Sequence, residues 1–225
     1  MKKNIFIVVV CVFLGILLGW VLFDKTDNLS NLPKPEVTGG QRGMLGIDKN
    51  INEENIDKYL GRSDSVYRDM RMLKDPGNYE AIGGDSYLSG FVKGFEVVPY
   101  PLLTEVKGLP EVVGDSYKGK TLFTQNEDGT YKANYEESIE YLEYYFPKDK
   151  NIFLMCGGGG YAGMTKNLLV SLGWYENKIY NVGGFWYYKG NNVVSVKRIV
   201  DGNDIYDFYK VTYHDIDFNS LTEVK

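Results

Sequence analysis

Asn151-Ile152-Phe153-Leu154-Met155-Cys156-Gly157-Gly158-Gly159-Gly160-Tyr161-Ala162 is the stretch on which the fold turns. An apolar run ends in a thiol and four glycines follow it. A helical pattern then carries Leu168, Leu169 and Leu172 on one side until Gly173 stops it. The order is strand, thiol, glycine loop, helix. A thiol in that place faces backbone N–H groups and the positive end of a helix dipole, and both favour thiolate over thiol. The expectation is therefore a nucleophile whose pKa is depressed. Cysteine is also among the most buried residue types, and a strand-end cysteine can simply fill core. Four consecutive glycines weigh against filling, because each costs chain entropy unless the backbone needs unusual dihedrals or a close approach.

Working outward, residues 136–146 form an amphipathic helical pattern with Ile139, Leu142, Tyr145 and Phe146 on the apolar side. Residues 179–182 read as the next strand, closed by Gly183-Gly184. Upstream, residues 65–71 and 95–98 read as strands. Residues 121–125 and 131–133 flank a turn at 126–129, and Glu53-Glu54 opens a short helix ended by Gly61. The Pro- and Gly-bearing residues 75–79 and the Gly-rich residues 107–120 read as loops. Alternation of strand and helix predicts an α/β fold with a parallel sheet flanked by helices. The last segment differs: residues 193–200 and 205–213 alternate loosely around Asp201-Gly202, which predicts an added hairpin on an edge of the sheet or beyond it.

Residues 1–23 stand apart. Lys2 and Lys3 precede an uncharged apolar run over residues 5–23. As a helix that run reaches ~28 Å, enough for a bilayer core of ~30 Å. It continues into Asp24-Lys25 with no small-residue cleavage site, so the expectation is an uncleaved signal-anchor, with a cleaved signal peptide as the alternative. The basic flank places the remainder outside the cytoplasm, as a single-pass cell-membrane protein. Residues 24–44, with Pro33, Pro35, Gly39 and Gly40, read as a linker. Residues 45–192 then form the main domain and 193–225 its extension.

The whole chain carries 25 basic and 30 acidic residues. Removing Lys2 and Lys3 leaves 23 against 30, a net of −7, which disfavours nucleic acid or an anionic membrane surface as partner. Of the two cysteines, Cys11 lies in the apolar run, so Cys156 has no intramolecular disulfide partner in the exported part.

Five motifs in order resemble a rhodanese-like domain, over about residues 52–189. Asp69-Met70-Arg71 after a strand is similar to that family's Asp-x-Arg. Ser89-Gly90-Phe91-Val92-Lys93-Gly94-Phe95-Glu96-Val97-Val98-Pro99 has the spacing of its Gly-His-Ile-Pro-Gly-Ala stretch. The strand into Cys156 with its glycine loop, Leu172-Gly173-Trp174, and Tyr180-Asn181-Val182-Gly183-Gly184-Phe185-Trp186 follow. The resemblance implies sulfur transfer: Cys156 as the nucleophile that holds a persulfide, and the backbone of Gly157, Gly158, Gly159, Gly160, Tyr161 and Ala162 as the cradle for its sulfur. Asp69 and Arg71 are implied as a structural motif. The partners implied are a small-molecule or protein sulfur donor and acceptor, with no cofactor.

Departures from the pattern bear on the donor. Tyr161 and Ala162 stand where the family's loop carries Arg and often Ser or Thr, and Phe91 stands at its His. The charge that would bind thiosulfate is missing from the loop, so a neutral or protein persulfide fits better, and Tyr161→Arg is expected to restore thiosulfate use. The alternative is a catalytically inactive rhodanese-like module that binds a partner or senses oxidants.

Other readings of these residues fall short. Gly158-Gly159-Gly160-Tyr161-Ala162-Gly163 satisfies G-x-G-x-x-G, but the following strand ends without the acid a dinucleotide needs. A phosphatase-like loop needs Arg at its far end. A Cys-His pair has only His214 to draw on, and one His with one exported Cys cannot supply a metal shell without several carboxylates, so no metal is expected.

Overall fold

Parallel strands carry the centre of the molecule because their sequences are apolar enough to be covered on both faces. The computed structural model describes residues 31–39, 42, 46–73, 85–107 and 117–225. A 3₁₀ turn at Ile56–Tyr59 precedes β1 (Ser65–Asp69), α1 (Asp85–Leu88), β2 (Gly90–Val92), β3 (Glu96–Val97), α2 (Tyr100–Leu103) and β4 (Phe123–Gln125). There follow β5 (Tyr131–Ala133), α3 (Ser138–Tyr145), β6 (Asn151–Cys156), α4 (Gly160–Ser171), β7 (Ile179–Gly184), β8 (Val193–Ser195), β9 (Lys197–Val200) and β10 (Asn203–Tyr206). The main sheet has the order β3-β1-β6-β7 with every pairing parallel. The chain is thus mixed α/β with a parallel sheet, and among the described residues the helices are few and short. Among the described residues no helix is long and apolar enough to cross a membrane. The apolar run at 5–23 lies outside the described residues, as do the expected loop at 75–79 and the middle of that at 107–120.

Strand β6 lies between β1 and β7, and its residues sort by the two-residue period of a strand. Ile152, Leu154 and Cys156 join the larger core with Leu142, Tyr145, Leu168, Leu169 and Trp174, contributed by α3, α4 and the turn after α4. Phe153 points the other way and stacks between Tyr67 of β1 and Tyr180 of β7, with ring centroids 5.2 and 4.9 Å away. The three rings are in register across the sheet, so cross-strand aromatic pairing fixes the alignment of β6. A slip of one residue would exchange Cys156 with Met155.

Several expectations are corrected in detail. Residues 95–98 shorten to the two-residue β3, because Pro99 opens α2. Ile139, expected in the core, is 37 % exposed, whereas Leu142 and Tyr145 are buried. The strand of residue 179 runs on through Gly183 and Gly184 instead of closing before them. The compact unit that holds the sheet takes in residues 33–39, which were expected to belong to the linker before a start near Leu45. Thr38 N donates to Ile47 O at 2.9 Å, and the buried Asp48 accepts from the N–H groups of Glu36 and Ile51 at 2.7 and 2.6 Å.

The C-terminal hairpin consists of β9 and β10, turned by Asp201 (φ 50°) and Gly202 (φ 80°), both in the left-handed region that a tight hairpin turn requires. Residues 193–195 do not join it. They form β8 and pair antiparallel with β2. Beyond the hairpin the chain returns to the main sheet, where Val97 N donates to Thr212 O and His214 N to Val97 O, each at 2.8 Å. This covers the edge of β3. Ile216 is buried in the larger core, with Phe218 and Leu221 packed against it.

Candidate active site

Cys156 ends β6 on the helix-covered face and is 3 % exposed. The chain turns back sharply after it, with Gly159 at φ 103°, and α4 starts at Gly160. That reversal brings Gly159 N within 3.0 Å of Cys156 Sγ, and the N–H groups of Ala162 and Gly158 also bear on the sulfur. The backbone cradle expected from the glycines is therefore present. The expected depression of the thiol's acidity is not. Burial pushes the Cys156 thiol above its ordinary value and outweighs the N–H groups of Ala162, Gly159 and Gly158, and the charge of Asp69 acts in the same direction as burial. Helix start and glycines describe the cradle correctly; what they omit is the loss of water.

Two close approaches explain why this loop is built of glycine. A Cβ on Gly184 would stand 2.1 Å from Gly157 O and 2.6 Å from Gly158 Cα, so β7 and the loop touch backbone to backbone. A Cβ on Gly157 would stand 2.7 Å from the indole of Trp186, which also lies on Gly158. Trp186 N donates to Gly157 O at 3.1 Å, and its side chain is about one-third exposed, so the indole stands between the loop and solvent.

Three residues that the sequence reading missed hold the loop from behind. Asn181, buried in β7, donates from Nδ2 to Gly159 O at 3.0 Å and accepts from Gly183 N at 3.0 Å. Glu53 Oε2 accepts from Gly184 N at 3.3 Å, and its Oε1 is paired with Arg42 Nη1 at 2.9 Å. Arg42 Nε reaches Gly158 O at 3.4 Å. An Asn inside an apolar strand was a readable signal, since a buried amide must find partners. Arg42 gave none, because it lies in a Gly- and Pro-rich stretch with no periodicity.

The remaining candidates separate into groups. Asp69 and Arg71 are both fully buried and bidentate, with Nη2–Oδ2 at 2.6 Å and Nε–Oδ1 at 2.9 Å. Arg71 also donates to the carbonyls of Tyr87 and Gly90, each at 3.0 Å, so its guanidinium ties β1 to α1 and β2 and does not reach for a substrate. Tyr161 is not at the mouth of the loop. Its ring is buried and stacks on Tyr100 at 5.3 Å, so Tyr161→Arg would bury a charge there and is no longer expected to favour thiosulfate. Phe91 is core, packed with Val97, Val196 and Val211. His214 pairs with Glu96 at 2.8 Å beside β3, two strands from β6. Lys166, another cation on α4, is nine-tenths buried, with the Glu176 carboxylate at 3.9 Å; burial lowers its pKa. It lines a cavity of about 500 Å³ with Tyr100, Lys107 and Tyr131. Among the described residues no cluster of His, Cys, Asp or Glu could hold a metal ion.

No family model, no curated protein and no solved structure matches this chain. What can be said of function therefore rests on the chemistry of the Cys156 loop and its surroundings.

Proposed function

We propose that the chain is a rhodanese-like sulfur carrier, held at the cell membrane by residues 1–23 with its domain outside, in which Cys156 accepts sulfane sulfur and stores it as a persulfide. The observation that carries the reading is a thiol at the C-terminal end of an inner strand of a parallel sheet, with three backbone N–H groups turned on its sulfur. The Cys156 sulfur attacks the outer sulfur of a persulfide donor R–S–SH. The donor S–S bond breaks, a new S–S bond forms on Cys156, and the donor leaves as a thiol with the proton that Cys156 gave up. An acceptor thiol then takes the same sulfur by the reverse exchange, so no oxidant is consumed. Splitting the transfer into two steps is the ordinary gain of covalent catalysis.

A neutral donor suits this site. Arg71 is saturated by Asp69 and two carbonyls, and Arg42 faces the carbonyl side of the loop. No described cation is thus turned toward the sulfur to receive thiosulfate. The burial of Cys156 favours a second reading, a silent module that binds a partner or responds to oxidants. Intact-mass measurement separates the two. After incubation with a small organic persulfide the protein is expected to gain one sulfur atom, lost again on adding a thiol and absent in Cys156→Ala; thiosulfate should give much less. No gain from persulfide, mercaptopyruvate or thiosulfate would leave the silent module.

A further inference from the structure

Arg42 and the sulfur of Cys156 sit at opposite ends of one peptide unit. Arg42 Nε approaches Gly158 O at 3.4 Å, and the N–H of the same peptide, that of Gly159, donates to Cys156 Sγ at 3.0 Å. A cation on a carbonyl oxygen draws electron density from the amide and makes its N–H a stronger donor, the polarisation that runs along hydrogen-bond chains in a low-dielectric site. The guanidinium is held in place from two other sides: Glu53 Oε1 binds Nη1 at 2.9 Å, and the Tyr187 ring lies 3.6 Å from its central carbon. Its Nη2 is buried and has no hydrogen-bond partner among the described residues. A buried donor left open in this way is costly, which means that Tyr187, Glu53 and the Gly158 carbonyl together fix the guanidinium at this position against that cost.

We propose that Arg42 is a positioning residue for Cys156, which polarises the peptide between Gly158 and Gly159 and so strengthens the hydrogen bond that favours the sulfur's anion against its burial. Arg42 also cancels the carboxylate of Glu53, which otherwise stands directly behind Gly184 and the loop. The loop thus obtains its positive charge from residue 42, through the backbone. The other groups facing the sulfur are Asp69, held by Arg71, and the phenols of Tyr87 and Tyr161, whose pKa values burial raises. The proposal rests on the reading of Cys156 as a nucleophile, but its test needs no sulfur donor.

The test is thiolate absorbance of the full-length protein in detergent against pH, taken as the difference from Cys156→Ala, with thermal unfolding measured alongside. Arg42→Met is expected to raise the midpoint of thiol ionisation by about half a unit to one unit, and Glu53→Gln to lower it. Arg42→Lys should recover part of the loss, since an ammonium carries the charge without the fork. If Arg42→Met and Glu53→Gln both move the midpoint the same way, in step with loss of thermal stability, the pair is only a clamp and the proposal is overturned. An unmoved midpoint in a folded Arg42→Met overturns it as well. The expected shifts without persulfide formation would uphold Arg42 and overturn sulfur as the cargo. A wild-type thiol that never ionises while the fold persists would overturn both.

Discussion

Cys156 brings together a backbone that favours its anion and a burial that opposes it, and burial is the larger effect. The consequence can be measured on stability. Because the folded thiol's pKa is raised, the folded chain keeps a proton that the unfolded chain gives up near a pH of ~8.5. Stability from this source is complete below that pH and is lost as pH rises toward the folded value. Wild type should therefore lose stability relative to Cys156→Ala between roughly pH 8.5 and 10, with no such divergence between pH 6 and 8. Parallel denaturant titrations would show it, and curves that stay parallel to pH 10 would mean that the sulfur titrates as a free thiol. Cys156 and its glycines were legible because each is rare enough in a strand-to-helix turn to require a reason. Its acidity was not, since burial is a property of everything packed around a residue and leaves no local mark in sequence.

At the scale of elements, β6, α4 and the β9–β10 hairpin were readable from apolar runs, a Gly stop and the Asp201-Gly202 turn. The pairing of β8 with β2 was not, because residues 193–200 look like one strand until Val196 turns inward and its N–H is taken by Ser89 O at 2.8 Å. The 3₁₀ turn Phe185–Tyr187 lays Trp186 on Gly157 and Gly158. Trp186→Ala should let a small alkylating reagent reach Cys156 several times faster, while the loop geometry, held by Asn181 and Glu53, persists. Labelling rates under native conditions would report this. An unchanged rate would place the route to the sulfur elsewhere.

For the whole molecule, the C-terminal tail belongs to the core it was expected to extend. Ile216 is buried there, and Val224 N donates to Asn134 O at 2.9 Å. Deleting residues 215–225 exposes the pocket of Ile216, a loss of about 2 kcal/mol or more from that side chain alone. The truncated protein should melt well below the full chain, and equal melting temperatures would make the tail an ornament. The stretch expected as a linker is likewise part of the fold from Pro33, which composition alone could not reveal, since its contacts are single bridges and side-chain bonds without a periodic signature. The glycine seam between β7 and the loop has a consequence for descent. Where two side chains clash, a second substitution can restore the fit, but here the atoms nearest a Cβ on Gly184 are the backbone of Gly157 and Gly158. No partner mutation can make room. The seam leaves a lineage no neutral path away from glycine at that position, so divergence at residue 184 should track loss of the site.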